Sequence, residues 1–554
     1  MSSYLKERIV AVLAEAYADI RGTEPQLEYL EIRASDRSDF GDYSSNIALL
    51  DAAARGERPR EVAQSIADAL SDRADRCGIE RVDVAGPGFI NVFLSADLIH
   101  EALQHILAES ETFGRSSYGA GKRIQVEFVS SNPTGPLTVG HGRQAVLGDV
   151  LATLYALVGY DVHREYYFND EGRQVDLLAK SLWVRYREAF GESHEIPEDG
   201  YRGEYLTALG SALQQEVGDK YPVFDEQAKA ALRAIAVERM TNSIKSDLAT
   251  LGVAFDTWFS EATLHERGEV DAALETLREA GGVYEEDGAV WLRSEANGGE
   301  KDSVLVRSDG RSTYLLVDIA YHIDKRQRGF DRVLNVQGAD HHTEQSCMKA
   351  ALHLLGYPDG WLSYAVHQFV SLKEGGETLK MSTRAGRFVT LHDLIDELGK
   401  DIVRYFMISR KPEAHLDFDL DLARSQSIDN PATYIQYAHT RIASIFAKAD
   451  EADLPEEASD VDLSPLVEPE ELDLIKTLDR FPNVIENAAL SFAPHLVAEN
   501  ALQLSRTLHS YYDKHRVLSD DRSLTTARLA LLRGIAVVLR RSLAVLGMDA
   551  PEAM

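Results

Sequence analysis

One short stretch, Ile124 to Leu157, constrains the fold more than any other part of this chain. Residues Ile124 to Val129 alternate apolar side chains and are rich in β-branched ones, which predicts a strand, whereas Gln144 to Leu157 repeats apolar residues at helical spacing. The loop between them carries prolines and glycines and places His141 and the amides around Gly140 at the start of the helix. Unpaired N–H groups and the helix dipole favour an anion such as a phosphate there. The alternative is an ordinary turn whose glycines only permit tight packing.

Short β-branched runs alternate with helical patterns through the middle of the chain. This alternation is typical of a Rossmann-type, doubly wound parallel sheet. The predicted strands are Ile124–Val129, Asp161–Tyr167, Arg332–Val336 and Tyr364–Val370. We therefore expect an α/β nucleotide-binding domain over residues 120–420, with an inserted, more charged stretch at about 174–293 that caps its site.

The two ends of the chain differ from this middle part. Residues 1–112 combine helical patterns with a β-rich run from Gly86 to Leu94, which predicts an α+β domain. Residues 421–554 are helical apart from an acidic, proline-containing loop from Asp450 to Pro469, which predicts an all-α domain. A chain of 554 residues is long enough for three or four domains, so the predicted fold class is multidomain α/β.

Composition excludes several classes of protein. The chain is 44% hydrophobic, yet no apolar run reaches the ~18 residues that a membrane span needs. The first 13 residues form an amphipathic, charged pattern rather than a signal peptide. Cys77 and Cys347 lie far apart and form neither a zinc-binding pair nor a disulfide framework. These features predict a cytoplasmic protein without protein-bound metal.

The charge balance is strongly acidic. Lys and Arg number 58 against 90 Asp and Glu, a net charge of −32. General solubility is one explanation, with basic residues clustered where a polyanion binds. The other is a cytoplasm at molar salt, where the Debye length shortens to ~3 Å and most self-repulsion is screened. Because the acidic residues are spread along the whole chain, the pattern favours the second, halophilic explanation.

A second segment, from Leu379 to Arg387, changes the interpretation of the first. Thr138-Val139-Gly140-His141 and Lys380-Met381-Ser382-Thr383 resemble the two signature motifs of class I aminoacyl-tRNA synthetases, in the same order. The flanking segments resemble arginyl-tRNA synthetases in particular. They are Ser131–Leu137, Glu165–Asp170, Asn335–His342, Asp429–Pro431 and Ile435–Arg441.

This resemblance implies an activity and its partners. ATP, bound with Mg²⁺, and arginine would give arginyl-adenylate, and arginine would pass to the 2′-hydroxyl of the terminal ribose of tRNA(Arg). It implies that tRNA binds before the first step becomes efficient. It also makes residues 1–112 the additional domain that contacts the tRNA elbow and residues 421–554 the anticodon-binding domain. We expect a monomer that binds no membrane.

Adenylation needs charge stabilisation rather than a protein nucleophile, because negative charge grows on the phosphoryl oxygens. His141 and Lys380 fit that role, with Ser382 and Arg384 as further donors. The resemblance implies ATP contacts for these side chains and for Gly140, Gly338, Asp340 and Met381. His341 and His342 could suggest a metal, but no Cys/His partner set completes such a site.

Two positions depart from the family's motifs. Thr138 stands where the signature has histidine, and threonine carries no charge. Either His141 and the lysine loop suffice, with Thr138 bonding the phosphate, or the enzyme is slower. Thr383 replaces the second lysine, and Arg384 could supply that charge.

The amino acid pocket carries the specificity. A guanidinium pairs bidentately with carboxylates, and Tyr314 and Asp318 stand four apart on a predicted helix. The resemblance makes this pair and Glu261 the guanidinium site, with Asn132 at the substrate's α-amino or carboxylate end. Alternatively, Asp318 is a surface residue paired with Lys325 or His322.

Predicted tRNA contacts lie in both end domains. Phe89 and Asn91 match the family's D-loop contact positions, although Phe89 in the core and Asn91 in a turn are an equal alternative. Tyr434, Tyr437 and Arg441 form an aromatic and basic cluster suited to tRNA, and aromatic residues at helical spacing are also common in cores.

Two other functions would also account for part of this sequence pattern. A small-molecule nucleotidyltransferase shares the Gly-His phosphate loop, but the long helical C-terminal part argues against it. An inactive RNA-binding paralogue is suggested only by Thr138.

Overall fold

The predicted parallel sheet lies at the centre of the structure, a computed structural model that describes residues 3–35, 38–339, 342–379, 389–451 and 461–554. An α+β unit precedes the sheet and a helical unit follows it, so the predicted fold class is confirmed. Within the described ranges, no helix is both long enough and apolar enough to cross a bilayer.

The N-terminal unit is built around a four-stranded antiparallel sheet. Its elements are α1 (Tyr4–Arg21), β1 (Ile32–Ala34), β2 (Tyr43–Ser45), α2 (Ile47–Arg55), α3 (Pro59–Ser71), α4 (Ala74–Cys77), β3 (Ile79–Ala85), β4 (Phe89–Leu94) and α5 (Ala96–Glu109). The strand order is β1-β2-β4-β3. A turn with Gly86 at φ 51° and Gly88 at φ 147° joins β3 to β4, so the predicted β-rich run is the second arm of a hairpin.

The central unit contains the remaining strands. Its first half comprises β5 (Arg123–Glu127), α6 (Val139–Leu157), β6 (Asp161–Phe168), α7 (Arg173–Glu188), α8 (Glu204–Val217), α9 (Glu226–Thr250), β7 (Thr257–Ser260), α10 (Ala262–Glu266), α11 (Glu269–Glu279), β8 (Val283–Glu286) and β9 (Ala289–Leu292). Its second half comprises β10 (Ser303–Val306), α12 (Tyr314–Gln327), β11 (Arg332–Gly338), α13 (His342–Leu354), β12 (Leu362–His367), β13 (Val370–Glu374), β14 (Glu377–Thr378), α14 (Leu391–Leu398), α15 (Lys400–Ile408), β15 (Leu416–Asp419) and α16 (Leu420–Arg424).

In the described part of the central unit, five parallel strands form the main sheet in the order β12-β11-β5-β6-β7. The chain runs outward from β5 to β7 and then returns to the other side of β5 with β11. Ligands of such sheets bind at the carboxyl ends of the strands beside this reversal. Helix α6 packs tightly over the sheet, since a Cβ on Gly148 would come within 2.1 Å of the Phe128 ring.

The structure differs from two of the predicted segments. The predicted strand Tyr364–Val370 is interrupted, because Gln368 N–H donates to the Pro412 carbonyl at 2.9 Å and turns the chain away from the main sheet. The continuation, β13, pairs with β15 in a separate sheet. The predicted insertion at about 174–293 contains β7, which is a strand of the main sheet and too short to show an alternating pattern.

Five helices form the C-terminal unit within residues 431–451 and 461–554, which the structure describes. They are α17 (Pro431–Glu451), α18 (Pro469–Asp479), α19 (Phe481–Leu490), α20 (His495–Lys514) and α21 (Arg522–Leu546). The start of the chain docks on this unit: Ser3 N–H donates to Asn483 Oδ1 at 3.2 Å, and Leu5 N–H donates to Asp479 Oδ2 at 3.3 Å. The beginning of the N-terminal unit is therefore in direct contact with α18 and α19.

A fully buried arginine joins the C-terminal unit to the central one. Arg404 donates to the Leu546 carbonyl at 2.6 Å, to the Leu251 carbonyl at 3.1 Å and to Asp149 Oδ2 at 2.6 Å. Asp149 lies on α6 and Leu546 ends α21. The Arg404 guanidinium thus fixes α21 against α6.

Candidate active site

The loop after β5 begins in an unusual backbone conformation. Val129 has φ 67° and Ser130 has φ 41°, both in the left-handed region that β-branched residues such as valine avoid. Hydrogen bonds hold this conformation: Ser130 Oγ donates to Glu127 Oε1 at 3.0 Å and accepts from Tyr167 N–H at 3.2 Å. Strain of about 1–3 kcal/mol for each such residue is typical of ligand-binding sites. The predicted strand therefore ends two residues early, at Glu127.

His141 lies in the first turn of α6 and is poised as a neutral donor. The Thr138 backbone N–H donates to His141 Nδ1 at 3.1 Å, so the ring proton is on Nε2. Burial, with a further contribution from His367, lowers the pKa of His141 to about 4. At neutral pH the imidazole can therefore donate one hydrogen bond from Nε2, at a helix N-terminus that favours anions.

Thr138 and Gly140 complete this end of the site. Thr138 Oγ1 lies 3.2 Å from His141 Nδ1. The threonine that replaces the first histidine of the motif therefore packs against the second histidine, His141. A Cβ on Gly140 would meet only Thr138 Oγ1, at 3.7 Å, among the described atoms. Packing within the described chain does not require glycine here, which leaves room for a ligand to approach the backbone.

The other predicted ATP contacts lie only partly within the described chain. Gly338 ends β11 and His367 ends β12, so both are at the carboxyl edge of the sheet near α6. The predicted contacts outside the described residues are Asp340, Lys380, Met381, Ser382 and Arg384.

A buried carboxylate lies at the carboxyl end of β7. Glu261 is 7% exposed and accepts hydrogen bonds from Tyr167 Oη at 2.6 Å and from Asn169 Nδ2 at 2.8 Å. Burial raises its pKa above the ordinary glutamate value. A desolvated carboxylate of this kind favours a cationic partner.

Tyr314 and Asp318 lie one turn apart on α12, as predicted. Tyr314 is the first residue of the helix and is 70% exposed. Asp318 Oδ1 lies 3.3 Å from His322 Nδ1. Burial raises the pKa of Tyr167, and Glu261 and Asp318 raise it further, so the two carboxylates share one neighbourhood. The alternative pairing with His322 therefore exists alongside a position close to Glu261.

Asn132 joins the loop after β5 to the residues that follow β6. Its Nδ2 donates to Gln174 Oε1 at 2.9 Å, and its Oδ1 accepts from Asn169 N–H at 3.4 Å. Since Asn169 also bonds Glu261, Asn132 connects the phosphate loop with the carboxylate pocket. The residues of the site that the structure describes therefore offer neutral donors at one end and acceptors for a cation at the other.

Several side chains that shape this site were missed by the sequence analysis. Tyr167 and Asn169 hold Glu261, and Gln174 holds Asn132. The available signal was their position at the end of β6 and in the residues that follow it, at the carboxyl edge of a parallel sheet. Arg143 is fully buried and donates to the Gln368 carbonyl at 2.7 Å, which anchors α6 to the loop after β12.

The predicted contacts on α17 form a surface patch with α20. Tyr437 stacks on His509 with ring centroids 5.6 Å apart, and the Tyr434 ring lies 4.9 Å from the same histidine. Arg441 lies 4.0 Å over the Tyr512 ring. Tyr437 is 40% exposed, so this patch presents an aromatic face beside a cation.

The two predicted contacts in the N-terminal unit differ in exposure. Phe89 begins β4 and is 40% exposed, whereas Asn91 is 4% exposed within the same strand. Asn91 therefore lies in a strand rather than in a turn, and its side chain is buried in the free chain.

Metal ligands are not grouped in the part of the chain that the structure describes, where no cluster of three His, Cys, Asp or Glu side chains could hold an ion. His341 and the side chain of His342 lie outside that part.

Comparison with known proteins agrees with this geometry. Residues 102–413 match the family profile described as tRNA synthetases class I (R), catalytic domain. Residues 3–94 match the arginyl tRNA synthetase N terminal domain, and residues 435–554 match the DALR anticodon binding domain. The fold and the site thus define a class I aminoacyl-tRNA synthetase.

Full-length relatives narrow this class. The chain is 44% identical to the arginine–tRNA ligase of Bacillus velezensis, over 100% of this chain and 99% of that protein. It is 42% identical to that of Thermotoga maritima, over 99% of each. The Thermus thermophilus arginyl-tRNA synthetase shares its fold with a TM-score of 0.75, 22% identity and coverage of 99% and 100%. The chain belongs to the arginyl-tRNA synthetase family, as its motifs indicated.

Proposed function

We propose that this chain is an arginine–tRNA ligase that forms arginyl-adenylate from arginine and ATP and transfers arginine to tRNA(Arg). The observation that supports this most directly is the buried Glu261 carboxylate, desolvated and already bonded by Tyr167 and Asn169. A guanidinium is the cation that satisfies two such carboxylates at once, because its planar fork offers five donors. Asp318 supplies the second carboxylate and Tyr314 a hydroxyl.

In the first step the arginine carboxylate attacks the α-phosphorus of ATP. A new P–O bond forms, the bond to pyrophosphate breaks, and ATP enters with its Mg²⁺ as substrate. His141 donates from Nε2 to a non-bridging phosphoryl oxygen, where negative charge grows. The residues that bind the nucleotide or its leaving group are Thr138, Gly140, Gly338, Asp340, Lys380, Met381, Ser382 and Arg384. Asn132 binds the α-amino or carboxylate end of arginine.

In the second step the 2′-hydroxyl of the terminal ribose attacks the adenylate carbonyl. The hydroxyl loses its proton, an ester bond forms and AMP departs. In this proposal residues 1–112 contact the tRNA elbow through the exposed Phe89, residues 120–420 carry catalysis, and residues 421–554 bind the anticodon region. Tyr434, Tyr437 and Arg441 provide stacking and charge. We propose a cytoplasmic monomer.

ATP–pyrophosphate exchange tests the proposal. The assay presents each amino acid in turn, with and without total tRNA, at low and at molar KCl. We expect exchange with arginine and neither with lysine nor with citrulline, since the wrong head group leaves buried acceptors unpaired, an effect of up to about 10⁴-fold or more. Exchange with another amino acid, or none with arginine under any of these conditions, would overturn it.

A further inference from the structure

A buried polar chain runs behind the arginine pocket. It begins at Lys325, whose side chain is fully buried. The ammonium donates to Glu127 Oε2 at 2.6 Å and to Asn335 Oδ1 at 3.2 Å, and its Nζ lies 4.2 Å over the Tyr321 ring. A buried charge with this many partners has little freedom to move.

The ammonium determines how the Asn335 amide is oriented. Lysine has three donors and no acceptor, so the atom of Asn335 that faces it must be the carbonyl oxygen. The amide nitrogen of Asn335 is then the atom 3.1 Å from His322 Nε2. Because an NH₂ group donates, His322 Nε2 must carry a lone pair.

The tautomer of His322 follows from this. Its ring proton is on Nδ1, which donates to the Asp318 carbonyl at 2.8 Å and lies 3.3 Å from Asp318 Oδ1. His322 is fully buried, and its ring packs edge-on against Tyr321 and Trp361, which fixes the plane of the imidazole. A neutral donor therefore points at the backbone and carboxylate of Asp318.

We propose that His322 is a positioning residue for arginine, held in its Nδ1–H tautomer by Asn335 and Lys325 so that it orients the Asp318 carboxylate. This rests on the proposed function, because Asp318 must receive the guanidinium. The opposite tautomer would present a lone pair to the Asp318 carbonyl and push the carboxylate away. We name Lys325, Asn335 and His322 the tautomer relay.

Glu127 links the relay to the phosphate loop. Its Oε2 accepts from Lys325, and its Oε1 accepts from Ser130 Oγ, the residue after the left-handed Val129. One carboxylate thus supports both the backbone that begins the nucleotide site and the side chain that shapes the arginine site.

Two histidine variants separate the relay from a general structural role. Asn places an amide at the position of imidazole Nδ1, and Gln places one at the position of Nε2. His322→Gln therefore keeps the contact with Asn335 but loses the donor to Asp318, whereas His322→Asn keeps that donor. We expect His322→Gln to raise the arginine KM about tenfold, the scale of one hydrogen bond to a charged group. The ATP KM should not change, and His322→Asn should restore most of the arginine affinity.

A double-mutant cycle and a spectroscopic measurement complete the test. In an Asp318→Asn background, His322→Gln should have no further effect on the arginine KM. Histidine ¹⁵N spectra of the full-length protein should show the pure Nδ1–H tautomer for His322, and Asn335→Leu should abolish that purity. If His322→Gln fails to fold, Asn335→Leu also tests the arginine KM.

The outcomes distinguish the relay from the pocket. If Asp318→Asn raises the arginine KM and His322→Gln does not, the relay alone is overturned. A spectrum that shows the Nε2–H tautomer of His322 overturns it too, as does a His322→Gln variant that raises the KM of arginine and of ATP equally. An Asp318→Asn variant with an unchanged arginine KM overturns the assignment of Asp318 in the proposed function, and the role of the relay with it.

Discussion

The two ends of the proposed active site bind ligand groups of opposite charge, and they do so with different chemical groups. Among the described residues, the phosphate end offers neutral donors: the Nε2–H of His141, whose pKa falls to about 4, and the N-terminus of α6. The arginine end uses carboxylates, Glu261 and Asp318, bonded by Tyr167, Asn169 and a buried histidine. The donor end is fixed mainly by backbone geometry, and the acceptor end by side chains at the ends of β6 and β7 and on α12.

This difference explains where sequence variation is tolerated. A helix N-terminus donates through its backbone whatever the side chain, so Thr138 can replace a histidine while the site keeps its polarity. A carboxylate has no backbone substitute. We therefore expect the phosphate end to tolerate the replacement at Thr138 better than the arginine end tolerates the loss of a carboxylate.

Removal of the His141 imidazole should have the largest effect. His141→Ala should slow adenylation by about 2–4 kcal/mol in transition-state stabilisation, with the arginine KM unchanged. His141→Gln, which places an amide at the position of Nε2, should recover part of the rate. Single-turnover adenylation measures both variants, and near-wild-type rates for His141→Ala would remove the donor from the comparison.

Asp318→Asn should have the next largest effect, confined to the other end. Replacing a charge-assisted hydrogen bond by a neutral one should weaken arginine binding by about 1.5–3 kcal/mol, with ATP binding unchanged. Glu261→Gln should weaken arginine binding by a similar amount, and Tyr314→Phe should weaken it by less. If these variants raise the KM of ATP and arginine together, the two ends are not separate.

Acid should distinguish the ends without mutation. The pKa of Glu261 is raised by burial, so this carboxyl takes up a proton at higher pH than an ordinary glutamate, and arginine binds its ionised form. The arginine KM should therefore rise as pH falls, by at most about tenfold per pH unit for one such group. His141 is already neutral, so kcat should show no inflection near pH 6.5 from this residue. Steady-state exchange from pH 5 to 8 would reveal one if His141 acted as a cation.

Salt should affect the surface more than either buried end. If the net charge of −32 is an adaptation to molar salt, the melting temperature should rise by several degrees from low salt to molar KCl as self-repulsion is screened. The arginine KM should change less, because buried pairs are screened less. A flat or falling melting temperature would favour the general-solubility explanation.

Thr138→His should have the smallest effect. A neutral hydrogen bond contributes about 0.5–1.5 kcal/mol, so the change in exchange rate should stay below about tenfold, and an increase is the expected direction. A larger loss would indicate that Thr138 positions His141 through the 3.2 Å contact between Oγ1 and Nδ1.

The sequence predicted four of the five strands of the described parallel sheet, since these strands depend on local pattern, whereas the site residues were assigned from the family resemblance and stay predictions. The run from Ile124 to Leu157 predicted β5 and α6, and the spacing of Tyr314 and Asp318 predicted their shared helix face. It did not predict the break after His367, because backbone hydrogen bonds to residues far along the chain cause that break.

Long-range partners also explain what was missed within the site. Lys325 bonds Glu127, which lies 198 residues away, and Tyr167 bonds Glu261, which lies 94 residues away. No local period brings such pairs together. Asn91 was predicted from its match to a contact position, which carried no information on its burial.

The docking of Ser3 and Leu5 on Asn483 and Asp479 has a consequence for how the protein is made. The N-terminal unit ends its sheet at Leu94, yet its partners are translated some 385 residues later (479 − 94). At about 5–20 residues per second, a ribosome needs roughly 20–80 s to deliver them. During that interval the start of α1, which later meets α18, is exposed to water and to chaperones, so a part of the chain made late completes one made early.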